Sequence, residues 1–339
     1  VLPPAVYSTF QITVATTDGR ILTKEGTKPL KITRSVATKS GQFSPVDVEF
    51  VDLSVDGTAN CYIVSDAGYY SIDGTIIGNG PAGLVENGGF HTQTVAIEPV
   101  SADFLWCDRP SVVTSVSYNL KERKVMFGVS GVEGNALIAA KDEDGTILWS
   151  WHIWVTDQPQ EQTLSSAIIM DRNMGAVTSE YMENGSDVWG VLYQWGRKDP
   201  FSSEYCSQEM KEMNTIRESV QNPLLVSPGS SWWIDSENND LWRNDMKTIY
   251  DPCPSGWRVS SEDVWRDLSG AESNENGVFI SDTLGHSYWF PLTPRRDNWG
   301  GYESYNDGEI WTGHPGSTFH YYQDGSIVNS GRCASDSYP

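Results

Sequence analysis

Between residues 46 and 157, runs of alternating apolar and polar residues predict strands of about five to nine residues separated by Gly, Asp and Asn turns. The runs are VDVEFVDLSV, NCYIVSDAGYYSI, TQTVAIEPV, ADFLWCD, VVTSVSYNL, RKVMFGVSG and GNALIAAKDEDGTILWSWHIWVT. A period of two sends neighbouring side chains to opposite faces of a strand. Strands this short and this closely spaced predict a two-sheet β-sandwich over residues 46–157. The Asp-Gly of DEDGTILW marks a hairpin turn in the last run. The Cys…Trp…Cys spacing of antibody domains is missing, so the sandwich is immunoglobulin-like only in the broad sense.

The flanks differ from this block. Residues 1–45 hold YSTFQITVAT, a TDGR turn and KPLKITRSV, which read as a partial or small β region. The chain opens at Val1-Leu2-Pro3-Pro4 without an initiator Met and reads as a trimmed product. Residues 158–339 change texture. Of the 14 tryptophans, 12 lie in 151–339, and regular alternation becomes rare there. SQEMKEMNTIRESV (207–220) predicts a short helix, with Met210, Met213, Ile216 and Val220 near one face. SSEDVWRDLSG (260–270) predicts another, capped at Ser260 or Ser261 and stopped at Gly270. The overall expectation is a mainly β chain with a C-terminal α+β part.

The net charge is −22, of which residues 151–339 carry −16. Such a field repels a phosphate backbone, and no basic cluster exceeds Lys121, Arg123 and Lys124, so nucleic acid is excluded as a partner. No apolar run is long enough to span a bilayer. The five cysteines, Cys61, Cys107, Cys206, Cys253 and Cys333, contain no CxxC pair and no zinc spacing. They are either buried thiols or one or two disulfides of an exported protein, with Cys206 the candidate left unpaired. Cys61 with Cys107 is one possible pair.

No GxSxG, HExxH or GxxxxGK motif is present, and His91, His152, His286, His314 and His320 form no zinc pattern. Among 45 acidic residues a chance pair of carboxylates is nearly guaranteed, so none marks a glycosidase. The segment 286–325 is different. It interleaves ten aromatic residues with Arg, Asp, Asn and Glu, a mixture suited to a sugar or to a protein hot spot. Candidate ligand contacts are Trp299, Trp311, Tyr302, Arg296, Asp307 and Tyr322. Asp297, Asn298, Asp307 and Glu309 are the oxygen donors for a possible Ca²⁺. Trp257 in SGWRV and Trp289-Phe290 in YWFPL read as core.

Several stretches resemble known families. ANCYIVSDAGYYSI (59–72) and GNALIAAKDEDGTILWSWHIWVTD (134–157) resemble a β-sandwich region in secreted proteins of Bacteroides and relatives. IMDRNMGA (169–176), VLYQWGRKDPF (191–201) and YDPCPSGWRVSSEDVW (250–265) resemble the Fibrobacter succinogenes major paralogous domain. NSGRCAS (329–335) looks like the closing strand of that domain. The resemblance implies a C-type-lectin-like fold for 158–339 and a Cys253–Cys333 disulfide. It also implies a surface or fimbrial tip setting outside a Gram-negative cell, with a glycan, a surface protein or fimbrial subunits as partners. A structural assembly subunit without sugar binding is the alternative. Formylglycine-generating relatives use a late pair of closely spaced cysteines. Cys333 has no cysteine neighbour, which argues against that activity.

Overall fold

A computed structural model describes residues 5–338 apart from 9, 16–20, 27–28, 34–43, 47, 84–94, 181–184, 205–208, 229–239, 298, 304–305 and 332–336. The chain is mainly β. In the N-terminal region, Ala5–Tyr7 pairs with Leu30–Ile32, and Phe10–Ala15, Ile21–Gly26 and Ser44–Val46 form a separate antiparallel sheet.

Most of the alternating runs of the next block form two four-stranded sheets; the described part of TQTVAIEPV forms no strand and makes only an isolated bridge from Ala96 to Ile76, and the first run gives these sheets only Val51–Asp52. One has the order Val113–Asn119, Lys124–Val129, Gly68–Asp73, Val51–Asp52. The other has the order Cys61–Val64, Ile147–Val155, Gly134–Lys141, Ser101–Cys107. Ile72, Val125 and Phe127 from the first sheet meet Ala136, Ile138, Trp151 and Ile153 from the second in one apolar cluster. The DEDGT hairpin forms, but with a longer turn than a two-residue one. Asp142 Oδ1 accepts the Asp144 and Thr146 amides, and Gly145 takes φ 80° as the residue that lets the ladder resume.

The second sheet is buried on both faces. Every residue of Gly134–Ala140 and of Trp149–Val155 is buried. An outward face of a sandwich normally meets water, and here it meets the C-terminal part instead. Ser150 Oγ donates to Asp199 Oδ1 (2.7 Å), and Trp154 Nε1 donates to Ala176 O (3.1 Å). Asn135 Nδ2 donates to Gly175 O (2.8 Å), and Tyr193 OH lies 3.4 Å from His152 Nδ1. Asn60 Nδ2 donates to Ile249 O and Asp251 O, and Cys61 forms a parallel bridge with Pro254. The apolar cluster of the sandwich therefore runs on into Tyr193, Trp195, Trp242 and Trp311.

The C-terminal part contains a five-stranded sheet in the order Phe201–Ser202, Val191–Gln194, Ser337–Tyr338, Arg295–Arg296, Tyr302–Glu303. The closing strand at its centre is Ser337–Tyr338. The expected closing segment instead contributes Ile327–Gly331 to the edge of a meander with Asp307–Trp311 and Ser317–Tyr322. A second meander joins Ser269–Ser273, Gly277–Ser281 and Ser287–Pro291. Between the meanders lies a separate core in which Trp265 stacks on Phe319 at 4.6 Å, with Phe290 and Tyr321 around them.

Both expected helices are shorter than the sequence suggests. Over 207–220, of which 207 and 208 lie outside the described residues, the helix is only Ile216–Gln221. Thr215 and Glu218 form a reciprocal capping box that fixes its start, while Met210 bridges to Val226 as extended chain. Over 260–270 there is a single 3₁₀ turn, Glu262–Trp265. Ser261 makes no side-chain cap, Ser260 Oγ accepts the Trp265 indole instead, and Asp267 turns to φ 59° before the next strand begins at Ser269.

Cys61, Cys107 and Cys253 carry free thiols. Cys61 and Cys107 lie on opposite edge strands of one four-stranded sheet. Three strand spacings put them roughly 14 Å apart, beyond the reach of a disulfide. Cys206 and Cys333 lie outside the described residues; Cys253, the expected partner of Cys333, stands as a buried free thiol.

Candidate binding cleft in the C-terminal part

The aromatic segment contributes its residues to three separate places. Trp299 stands at the turn between Arg295–Arg296 and Tyr302–Glu303 and is 65% exposed. The turn is held from below. Asp297 Oδ1 accepts the Trp299 amide (2.9 Å) and the Gly301 amide (2.7 Å), and Gly300 has φ 75°. Arg296 is fully buried, so it anchors this hairpin and contacts no ligand. It donates to Ser202 O (3.3 Å) and Glu204 O (3.0 Å), with its guanidinium 5.7 Å over the half-buried Tyr302 ring.

Asp307 and Glu309 occupy a second place. Both are buried, and they grip one imidazole between them. His320 Nε2 lies 2.8 Å from Asp307 and Nδ1 lies 2.7 Å from Glu309. Carboxylates only accept, so both ring nitrogens carry protons. Burial alone lowers the pKa of His320, and the two carboxylates override that and raise it. Arg295 completes the group, 3.1 Å from Asp307 and 3.0 Å from Glu303, and Tyr322 stacks on His320 at 4.1 Å. These carboxylates are committed to cations of the protein. Asp297 is committed to its own turn, and Asn298 lies outside the described residues. The proposed calcium donors are thus not gathered at one point, and no group of three or more His, Cys, Asp or Glu is placed to hold a metal among the described residues.

The third place is a cleft of about 590 Å³, and of the expected contacts it receives only Trp311. One wall is a hairpin of Glu161–Thr163 and Ile168–Met170, continuing to Met174. The facing wall is the segment 256–261, which contains Trp257 and Arg258. Tyr193, Trp242, Trp265, Trp289, Phe290 and Trp311 complete the lining. Trp257 is half-buried: it packs against the main core, as its motif suggests, and also lines the cleft, and Lys247 Nζ donates to its carbonyl (2.7 Å).

The polar atoms of this lining mostly point elsewhere. Trp311 Nε1 donates to Tyr193 O (2.7 Å), Trp242 Nε1 to Tyr250 O (3.0 Å) and Trp265 Nε1 to Ser260 Oγ (2.8 Å). Arg172 is spent on Asp157 (2.7 Å) and Asp171 (2.9 Å), which leaves Asp171 paired as well. Burial pushes the Cys253 thiol well up, so this lining residue is no nucleophile. What the cleft offers is ring carbon, Ile168, Ile169 and Met170, with an exposed Glu161 and an exposed Arg258.

The 161–170 hairpin is absent from the sequence reading. Its signal is weak: Ser165 and Ser166 separate two short runs, EQT and AIIM. Comparison with family models, with curated proteins and with solved structures finds no match.

Proposed function

We propose that this chain is a cell-surface adhesion module that holds its partner in the cleft of the C-terminal part. In this reading the sandwich is immunoglobulin-like, and 158–339 is a C-type-lectin-like domain, as the resemblance to the Fibrobacter succinogenes major paralogous domain implies. The setting is outside a Gram-negative cell, at its surface or on a fimbrium. The observation that carries the proposal is the cleft itself, lined by Ile168, Ile169, Met170, Trp257 and Trp289 over buried indoles at Trp242, Trp265 and Trp311 whose N–H groups are spent on the protein's own oxygens. A concave pocket lined mainly by apolar side chains with a few polar groups is the usual form of a binding site. Among the described residues no helix is long and apolar enough to cross a membrane.

The test is an array of glycans and extended peptides probed with the whole chain and with Trp257→Ala. Binding that Trp257→Ala abolishes supports the cleft. Binding that survives this change and is lost in Trp299→Ala moves the site to the exposed hairpin. Folded protein that binds nothing favours the structural assembly subunit.

A further inference from the structure

We propose that the occupant of the cleft is an extended segment of a partner protein, added as a third strand to the open edge of Ile168–Met170. This deepens the adhesion reading and rests on the cleft being the binding site.

The sheet at this wall has only two strands among the described residues. Its register pairs Glu161 with Met170, Gln162 with Ile169 and Thr163 with Ile168. The amide of Asp171 donates to Gln160 O, and that of Leu164 to Ala167 O. In an antiparallel ladder hydrogen-bonded pairs alternate, so Gln162 and Ile169 exchange the intervening bonds. The main-chain groups of Ile168 and Met170 then point away from the hairpin, as an unextended ladder.

Two further observations favour a strand over a sugar. Residues 167–174 line the cleft without a gap. A strand that presented only one face would contribute every second residue, so here the chain offers its length. Sugar hydroxyls, in turn, require polar side chains with unspent hydrogen bonds. The wall's Asp171 and Arg172 are spent on each other and on Asp157, and the indoles of Trp242, Trp265 and Trp311 on main-chain and serine oxygens, which leaves only Glu161, Gln162, Arg258 and Ser261 as polar side chains for a sugar. A strand brings its own donors and acceptors and asks the floor only for apolar contact. The occupant has apolar side chains at alternate positions and neutral or basic flanks, since residues 151–339 carry −16 and Glu161 is exposed at the wall.

The probe is a capped heptapeptide alternating valine and threonine, with lysine at each end, titrated into the whole chain while the tryptophan fluorescence is followed. Saturable binding is expected. N-methylation of the amides on one alternate set should weaken it by about tenfold, the value of a main-chain bond or two, and methylation of the other set should not. Ile168→Pro removes an outward N–H and should weaken binding similarly, with unchanged circular dichroism. The methylated peptides keep the test decisive if that variant misfolds. Equal binding of both methylated forms, or no saturable binding, overturns the strand. If cellohexaose binds instead and Trp257→Ala abolishes it, the cleft stands as the site and only the strand reading fails. If neither probe binds, both readings fail.

Discussion

His320 is the residue whose charge state the fold dictates most directly. An imidazole between two buried carboxylates is held protonated, and its pKa is raised above the ordinary 6.5. The folded state therefore binds this proton more tightly than the unfolded chain. The stabilisation is complete below pH 6.5 and is lost as the pH rises through the raised folded value. Urea unfolding at a series of pH values should show stability falling across that window, and His320→Gln should remove this component of the slope. A second buried group behaves differently. Lys198 lies against Asp199 (2.6 Å) and Ser150 Oγ (2.6 Å), 4.4 Å over the Trp149 ring, and burial lowers its pKa to about 8. Lys198→Ala leaves Asp199 buried without its cation. Urea denaturation should register a loss of about 3–5 kcal/mol, far above that of an exposed lysine. Neither group is legible in the sequence. Nothing in the sequence marks the adjacent Lys198 and Asp199 as buried, and Asp307, Glu309 and His320 meet only because two strands pair in one register.

At the scale of elements, short-range signals were legible and longer ones misled. Most alternating runs of 46–157 became strands, because the period of two needs only local sterics and one apolar face, while the described part of TQTVAIEPV stayed outside both sheets. The hairpin at Asp142–Gly145 followed from its turn residues. The helical spacing of Met210, Met213, Ile216 and Val220 was satisfied by a single capped turn and a half, since Met213 reaches the core from extended chain. Thr215→Ala removes one half of the capping box of that helix and should cost about 1 kcal/mol in chemical denaturation. Composition drew attention to the aromatic segment 286–325, but aromatic content alone does not separate core, ion-pair cover and cleft. Trp299 stands exposed, Trp311 is buried apart from its face on the cleft, and Arg296 is wholly buried. The hairpin that forms the cleft wall escaped notice because its strands are three residues each and carry no Gly or Pro punctuation.

For the molecule as a whole, the change of texture near residue 158 marks no gap in packing. The strands Gly134–Lys141 and Ile147–Val155 face the other sheet on one side and the C-terminal part on the other. Residues 46–157 excised alone would expose the apolar and polar atoms of that second face, including Leu137, Ala139 and Trp154. The intact chain should therefore lose both parts in one calorimetric transition, and the excised sandwich should be insoluble or lack sharp melting. Two separate transitions, each reproduced by its own fragment, would contradict this. The sandwich surface that meets the C-terminal part is specific down to single amides: Asn60 Nδ2 donates to both Ile249 O and Asp251 O. A C-terminal part fitted to its sandwich in this way is not expected to travel as a free cassette. A gene exchange that replaces it without also replacing the strand edge around Asn60 and Cys61 joins two surfaces never fitted to each other, so inheritance of the pair as one unit is the expected pattern.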